Sequence, residues 1–168
     1  AGLPFGGSLL VLQSILNYDY LWIRLRVKGG AYGCMSGFGR DGDCYMVSYL
    51  DPKLAETNEV YDKLPEYLEQ FDQDERSMDR YVIGAISEMD IPKNPAALGV
   101  RGLTAYLSGI TREQLQKERD EVIDTDAKEI RALVPYAKAV LSNNCLCVVG
   151  NENKIKENSS LFTTVRSL

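Results

Sequence analysis

Hydrophobic positions along the chain alternate between two periods, and each period marks a different kind of element. After Gly6-Gly7-Ser8, the residues Leu9, Leu12, Ile15 and Leu16 recur three or four apart, which predicts a helix capped by Ser8 and pausing near Asn17. A second helix is expected over 19–27, ended by Gly29-Gly30 in a left-handed conformation, with Arg26 in its last turn. Residues 31–38 and 44–50 then flank Gly39-Arg40-Asp41-Gly42-Asp43, and an Asp-Gly step between apolar runs signals an antiparallel hairpin. Tyr32, Cys34, Ser36 and Phe38 would share one of its faces.

Downstream the period is helical almost throughout. Asp51-Pro52 reads as an N-cap and first helical position, opening a helix to Tyr61 that Lys63-Leu64-Pro65 interrupts before a short helix to Phe71. Met78, Tyr81, Val82, Ala85, Ile86 and Met89 mark an amphipathic helix stopped by Asp90-Ile91-Pro92, and Pro95 restarts the chain toward Leu107. Thr111-Arg112-Glu113-Gln114 fits a capping box for a helix over 112–123, whose charge run is a solvated face. A helix over 127–141, kinked at Pro135, should precede a strand over 145–149. The fold class that follows is α+β, a largely antiparallel sheet with helices packed on one face, and the 168 residues read as a single domain.

Charge and composition narrow the partners. A formal net charge of −5 repels phosphate backbones and anionic lipid, so nucleic acid and membrane surfaces are not expected partners. Cys34, Cys44, Cys145 and Cys147 are expected as buried, reduced thiols, and the two-residue spacing of the last pair would place them on opposite faces of a strand. The opening Ala-Gly-Leu-Pro lacks an initiator Met, as expected of a processed product or a piece of something longer.

The chain contains no histidine, which changes the picture more than any residue present. Without imidazole it builds neither a Ser-His or Cys-His nucleophile nor a His-ligated metal centre, so no metal site is expected on it. Carboxylate pairs such as Asp41 with Asp43 fall in turns, where Asp serves local hydrogen bonding. The densest candidate for chemistry is the segment over 20–33, ending Arg26-Val27-Lys28-Gly29-Gly30-Ala31-Tyr32-Gly33. Its paired glycines let the backbone turn sharply, so the Arg26 guanidinium and the Tyr32 phenol could donate to one oxygen, with Gly29 and Gly30 shaping a substrate's approach. By themselves the residues read more simply as a helix C-terminus followed by ordinary sheet packing.

This segment resembles the C-terminal domain of presequence proteases, in the pitrilysin and insulinase clan of zinc metallopeptidases. The likeness runs from the glycine-rich helix entry at Gly6 through Tyr20-Leu21-Trp22 and Arg26-Val27 to Gly29-Gly30-Ala31-Tyr32-Gly33. It continues at Ser48-Tyr49-Leu50-Asp51-Pro52, where Leu50 replaces the family's Arg, at Val60-Tyr61-Asp62, and at Tyr106-Leu107-Ser108-Gly109-Ile110-Thr111. The resemblance implies a zinc endopeptidase that degrades unstructured peptides. Zinc and a glutamate base would lie in an N-terminal half outside this chain, which would bind no metal and be inactive by itself. It assigns Arg26 and Tyr32 as donors to the scissile carbonyl, and a bacterial cytoplasm, or else an organelle matrix, as the setting. It also implies a first strand preceding residue 1, hence a sheet edge left open or paired with another molecule. A non-catalytic binding or assembly subunit of the same clan is the alternative.

Overall fold

The molecule is organised around one long helical rod. The computed structural model describes residues 2–167. The rod begins as an α-helix, α1 (Ser8–Ile15), and continues without a break through two π-wound stretches, Leu16–Tyr20 and Trp22–Lys28. The expected pause near Asn17 is therefore replaced by a change of winding. The reason lies in the apolar spacing: the adjacent buried residues Tyr20 and Leu21 both lie four or five positions from Leu16 before them and Leu25 after them, wider than an α-helical stripe, and i→i+5 winding keeps them all facing the core. Ser8 does not cap the rod. Gly7 holds the N-cap position, and its amide donates at 2.8 Å to Oε2 of Glu121 from a later helix.

A two-stranded antiparallel hairpin follows, β1 (Gly33–Phe38) and β2 (Cys44–Tyr49), in register from Gly33 opposite Tyr49 to Phe38 opposite Cys44. Its inner face, with Ser36 buried and Cys34, Phe38 and Met46 partly so, packs on the rod; Tyr32, expected on the same face, precedes β1 and is exposed, its ring against Tyr49, because the Gly30 turn comes between it and the rod. The two edges differ. On β1, the Asn17 side chain takes the place of a neighbouring strand: its Oδ1 accepts from the Ser36 amide at 2.6 Å and its Nδ2 donates to the Ser36 carbonyl at 3.3 Å. Gln13 Oε1 accepts from the Phe38 amide. On β2, Met46 and Ser48 turn their backbone groups outward, and no strand pairs with them among the described residues.

Helices α2 (Leu54–Asp62), α3 (Leu64–Glu69), α4 (Glu75–Met89), α5 (Pro95–Leu107), α6 (Arg112–Asp124), α7 (Ala127–Ala132), α8 (Val134–Ser142) and α9 (Glu152–Glu157) complete the order. Residues of α1 form the core with Leu64, Leu68, Met78, Tyr81, Ala85, Val122 and Ile130 from α3, α4, α6 and α7. The α+β class holds, with the sheet reduced to one hairpin.

Four local expectations change. Lys53, not Asp51, is the N-cap of α2; the Asp51 carboxylate instead accepts from the Lys53 amide at 2.9 Å and from Thr57 Oγ1 at 2.6 Å. Pro135 breaks rather than kinks its helix, which stops at Leu133 and restarts as α8 because proline carries no amide for the preceding turn. Residues 145–149 form no strand, since β2, the adjacent sheet edge, lies across a cleft lined on its far side by Asn143–Cys147. As a result Cys145 and Cys147 are exposed, while Cys34 and Cys44 are half-buried; all four are free thiols. The capping box at Thr111 and Gln114 forms as expected.

Candidate functional site

The end of the rod delivers Arg26 to the start of the hairpin. Gly29 completes the last turn at φ −82°, and Gly30 takes φ +88°, the left-handed conformation that reverses the chain with no side-chain penalty. The amide of Gly30 donates to the Arg26 carbonyl and that of Ala31 to the Leu25 carbonyl, closing the wide helix. A Cβ on Gly29 would lie 2.4 Å from the Leu25 carbonyl oxygen, so the first glycine is needed for close approach and the second for its dihedral.

This turn brings Arg26 and Tyr32 together. Arg26 Nη1 donates to the backbone carbonyl of Tyr32, and the guanidinium lies 4.4 Å from the centroid of the Trp22 ring and 5.7 Å from that of Tyr32. Held by one hydrogen bond and two aromatic faces, it is oriented while its remaining N–H groups point to open surroundings. The Tyr32 ring stands edge-on to Tyr49 at 6.0 Å, and Tyr32 is 65% exposed. Its hydroxyl has no hydrogen-bond partner among the described residues. The pair therefore presents a cation and a phenol on one open surface. Burial pushes the nearby Cys34 thiol up, against a downward pull from Arg26.

Arg24, the other arginine of the segment, faces elsewhere: its guanidinium covers the rings of Tyr20 and Tyr67 at 4.2 and 5.3 Å. Of the aromatics close in sequence, Trp22 touches the pair, Tyr20 is buried with its hydroxyl donating to the Val60 carbonyl at 2.6 Å, and Tyr18 reaches toward Glu88. Sequence reasoning did not single out the far wall. Tyr49 meets the Tyr32 ring edge-on, Leu50 adopts φ +47°, and Pro52 lies against Gly30. The Ser48–Pro52 motif carried that signal, but only as a family likeness.

Among the described residues no three His, Cys, Asp or Glu side chains stand close enough to hold a metal ion, so nothing at this site fits one. No helix among them is long and apolar enough to cross a membrane.

Arg26 and Tyr32 thus form an open donor pair on an α+β domain, with the Cys34 thiol nearby. The chain belongs to the PreP C-terminal domain family, whose profile matches residues 1–150. Over 167 residues it is 47% identical to "Protein HypA" of Clostridium perfringens, covering 99% of this chain and 17% of that protein. It is 30% identical over 172 residues to "Presequence protease 1, chloroplastic/mitochondrial" of Arabidopsis thaliana, covering 99% and 16%. To the mitochondrial presequence protease of Schizosaccharomyces pombe it is 29% identical over 141 residues, covering 83% and 14%. The chain thus spans less than a fifth of the length of these curated relatives.

Proposed function

We propose that this chain supplies the substrate-side donors of a presequence-protease-type zinc endopeptidase acting on unstructured peptides. In this reading zinc and a glutamate base come from an N-terminal half, and the chain alone is inactive. Arg26 and Tyr32 hold the scissile carbonyl and stabilise the oxyanion that develops on it; Gly29 and Gly30 set the spacing between the two donors and leave room for the peptide backbone. A reducing bacterial cytoplasm suits the four free thiols.

The observation that carries the reading is the convergence of Arg26 and Tyr32 across the Gly30 turn, with donor groups left free on both. Donors fixed before reaction contribute most where negative charge develops, and loss of one costs about 10²-fold or more in turnover. The two contributions are separable here, because Arg26 is anchored by the Tyr32 backbone carbonyl and not by its hydroxyl. Tyr32→Phe removes one donor and keeps the ring against Tyr49.

In the full-length protein, Arg26→Ala and Tyr32→Phe are each expected to lower kcat by about 10²-fold, with bound zinc, measured by atomic emission, unchanged. Near-wild-type turnover in both variants would remove the catalytic role.

A further inference from the structure

We infer that a cationic cleft beside the hairpin is a carboxylate subsite, reading an acidic group on an extended peptide about four to six residues from the bond held at Arg26 and Tyr32. The inference rests on the peptide-binding reading above and adds to it a feature of the substrate.

The outer face of the hairpin leads from the donor pair to the cleft. Tyr49, against the Tyr32 ring, stands at one end of β2 and Tyr45 at the other, with Val47 and Met35 between them; these four residues are 39–60% exposed. Tyr45 lies across Gly37, where any Cβ would fall 2.6 Å from the ring. A row of exposed aromatic and apolar side chains on a strand is a surface on which an extended peptide packs. Tyr49 to Tyr45 is four residues, or about 13 Å of strand.

At the Tyr45 end, beside Met35 and Tyr45, opens a cleft lined by Arg40, Lys93, Arg101, Arg112 and Arg119. This concentration of cations stands out on a chain of net charge −5. Two of the five are occupied: Arg119 grips both Asp90 oxygens at 2.7 Å, and Arg40 is paired with Glu118. Lys93, Arg101 and Arg112 make no ion pair among the described residues; Lys93 Nζ donates to the Ile91 carbonyl at 3.0 Å, and Arg101 and Lys93 add to the pull of Arg119 that holds the Asp90 carboxyl low. Glu88, the other carboxylate of the lining, meets only the Tyr18 hydroxyl, at 3.5 Å. Arg112 is also the first residue of α6, where the helix already carries positive partial charge, so its position opposes helix stability and strengthens the field in the cleft. Planar guanidinium groups of this kind match a carboxylate. The ligand chemistry is shared by a Glu or Asp side chain and by a peptide's C-terminal carboxylate.

The test uses the full-length protein and otherwise neutral unstructured peptides carrying an uncharged BODIPY fluorophore, whose cleavage position has been mapped. One series carries Glu or Gln at successive positions from the bond; the other ends at those positions in a free carboxylate or an amide. Affinity is read by fluorescence anisotropy in a metal chelator, and KM on the active enzyme is the second readout. At one spacing within the window, the carboxylate member of either series should bind about tenfold tighter than its neutral partner. The series that shows the effect identifies the source. Combining R101Q with R112Q should bring the ratio to within about twofold, and combining R101K with R112K should keep most of it. Equal affinities at every position, or a tenfold ratio that survives R101Q with R112Q, overturns the subsite. Failure of the catalytic reading would appear instead as unchanged turnover in the Arg26 and Tyr32 variants.

Discussion

Gly29 and Gly30 occupy adjacent positions but meet different physical demands. Gly30 sits at φ +88°, where an L side chain costs about 1–2 kcal/mol, so Gly30→Ala should lower stability by roughly that amount. Gly29 has ordinary dihedrals, but its Cβ would meet a backbone carbonyl at 2.4 Å, which cannot rotate away as a side chain would. Gly29→Ala should therefore destabilise more than Gly30→Ala, and differential scanning calorimetry of the intact protein would rank them. The reverse order would mean that the end of the rod yields easily. The need for glycine here was legible in the sequence, as was the candidacy of Arg26 and Tyr32. The place of Tyr49 against Tyr32 was not, because it depends on how the hairpin register brings the end of β2 beside the Gly30 turn.

At the scale of elements, the change of winding has a cause visible in the residues. The leucines at 16, 21 and 25 do not fit one α-helical stripe, and Asn17 and Asp19 look like a helix break. In the fold both polar residues are used. Asn17 closes the β1 edge at Ser36, and Asp19 accepts from the Tyr81 hydroxyl at 2.8 Å. Asn17→Ala would leave the Ser36 amide and carbonyl without that partner at a nearly buried position, costing about 1–3 kcal/mol. Hydrogen exchange at the Ser36 amide should accelerate in that variant; protection equal to wild type would show that the edge is held some other way. The absent strand over 145–149 makes the complementary point. Apolar alternation identifies a segment able to join a ladder, but only a neighbour within hydrogen-bonding distance turns it into a strand.

Across the whole molecule, buried phenols give stability a dependence on alkaline pH. Tyr20, Tyr61 and Tyr81 are each pushed up to about 12, with desolvation the largest cause, and burial raises Tyr67 as well. A phenol whose pKa is higher in the folded than in the unfolded state favours folding fully below the unfolded value near 10, and this contribution is lost as pH rises toward 12. The melting temperature should fall across that interval. Tyr20→Phe should lower it at neutral pH, through loss of the bond to Val60, and flatten its alkaline slope. A melting temperature level from pH 10 to 12 would contradict the burial of these groups.

By itself the sequence determined the helical content, the hairpin with Cys34, Ser36 and Phe38 facing inward, the capping box at Thr111, the lack of imidazole and the pairing of Arg26 with a glycine turn before Tyr32. Those features are set by local periodicity, backbone dihedral preference and composition, which act over a few residues. The tertiary structure alone decided which strand edge is closed, that 145–149 stands apart from the sheet, which aromatic backs Tyr32, and that cations from the hairpin turn, the α4–α5 region and α6 face one cleft beside the hairpin. Each of these depends on contacts between residues distant along the chain, and no local pattern encodes such distances.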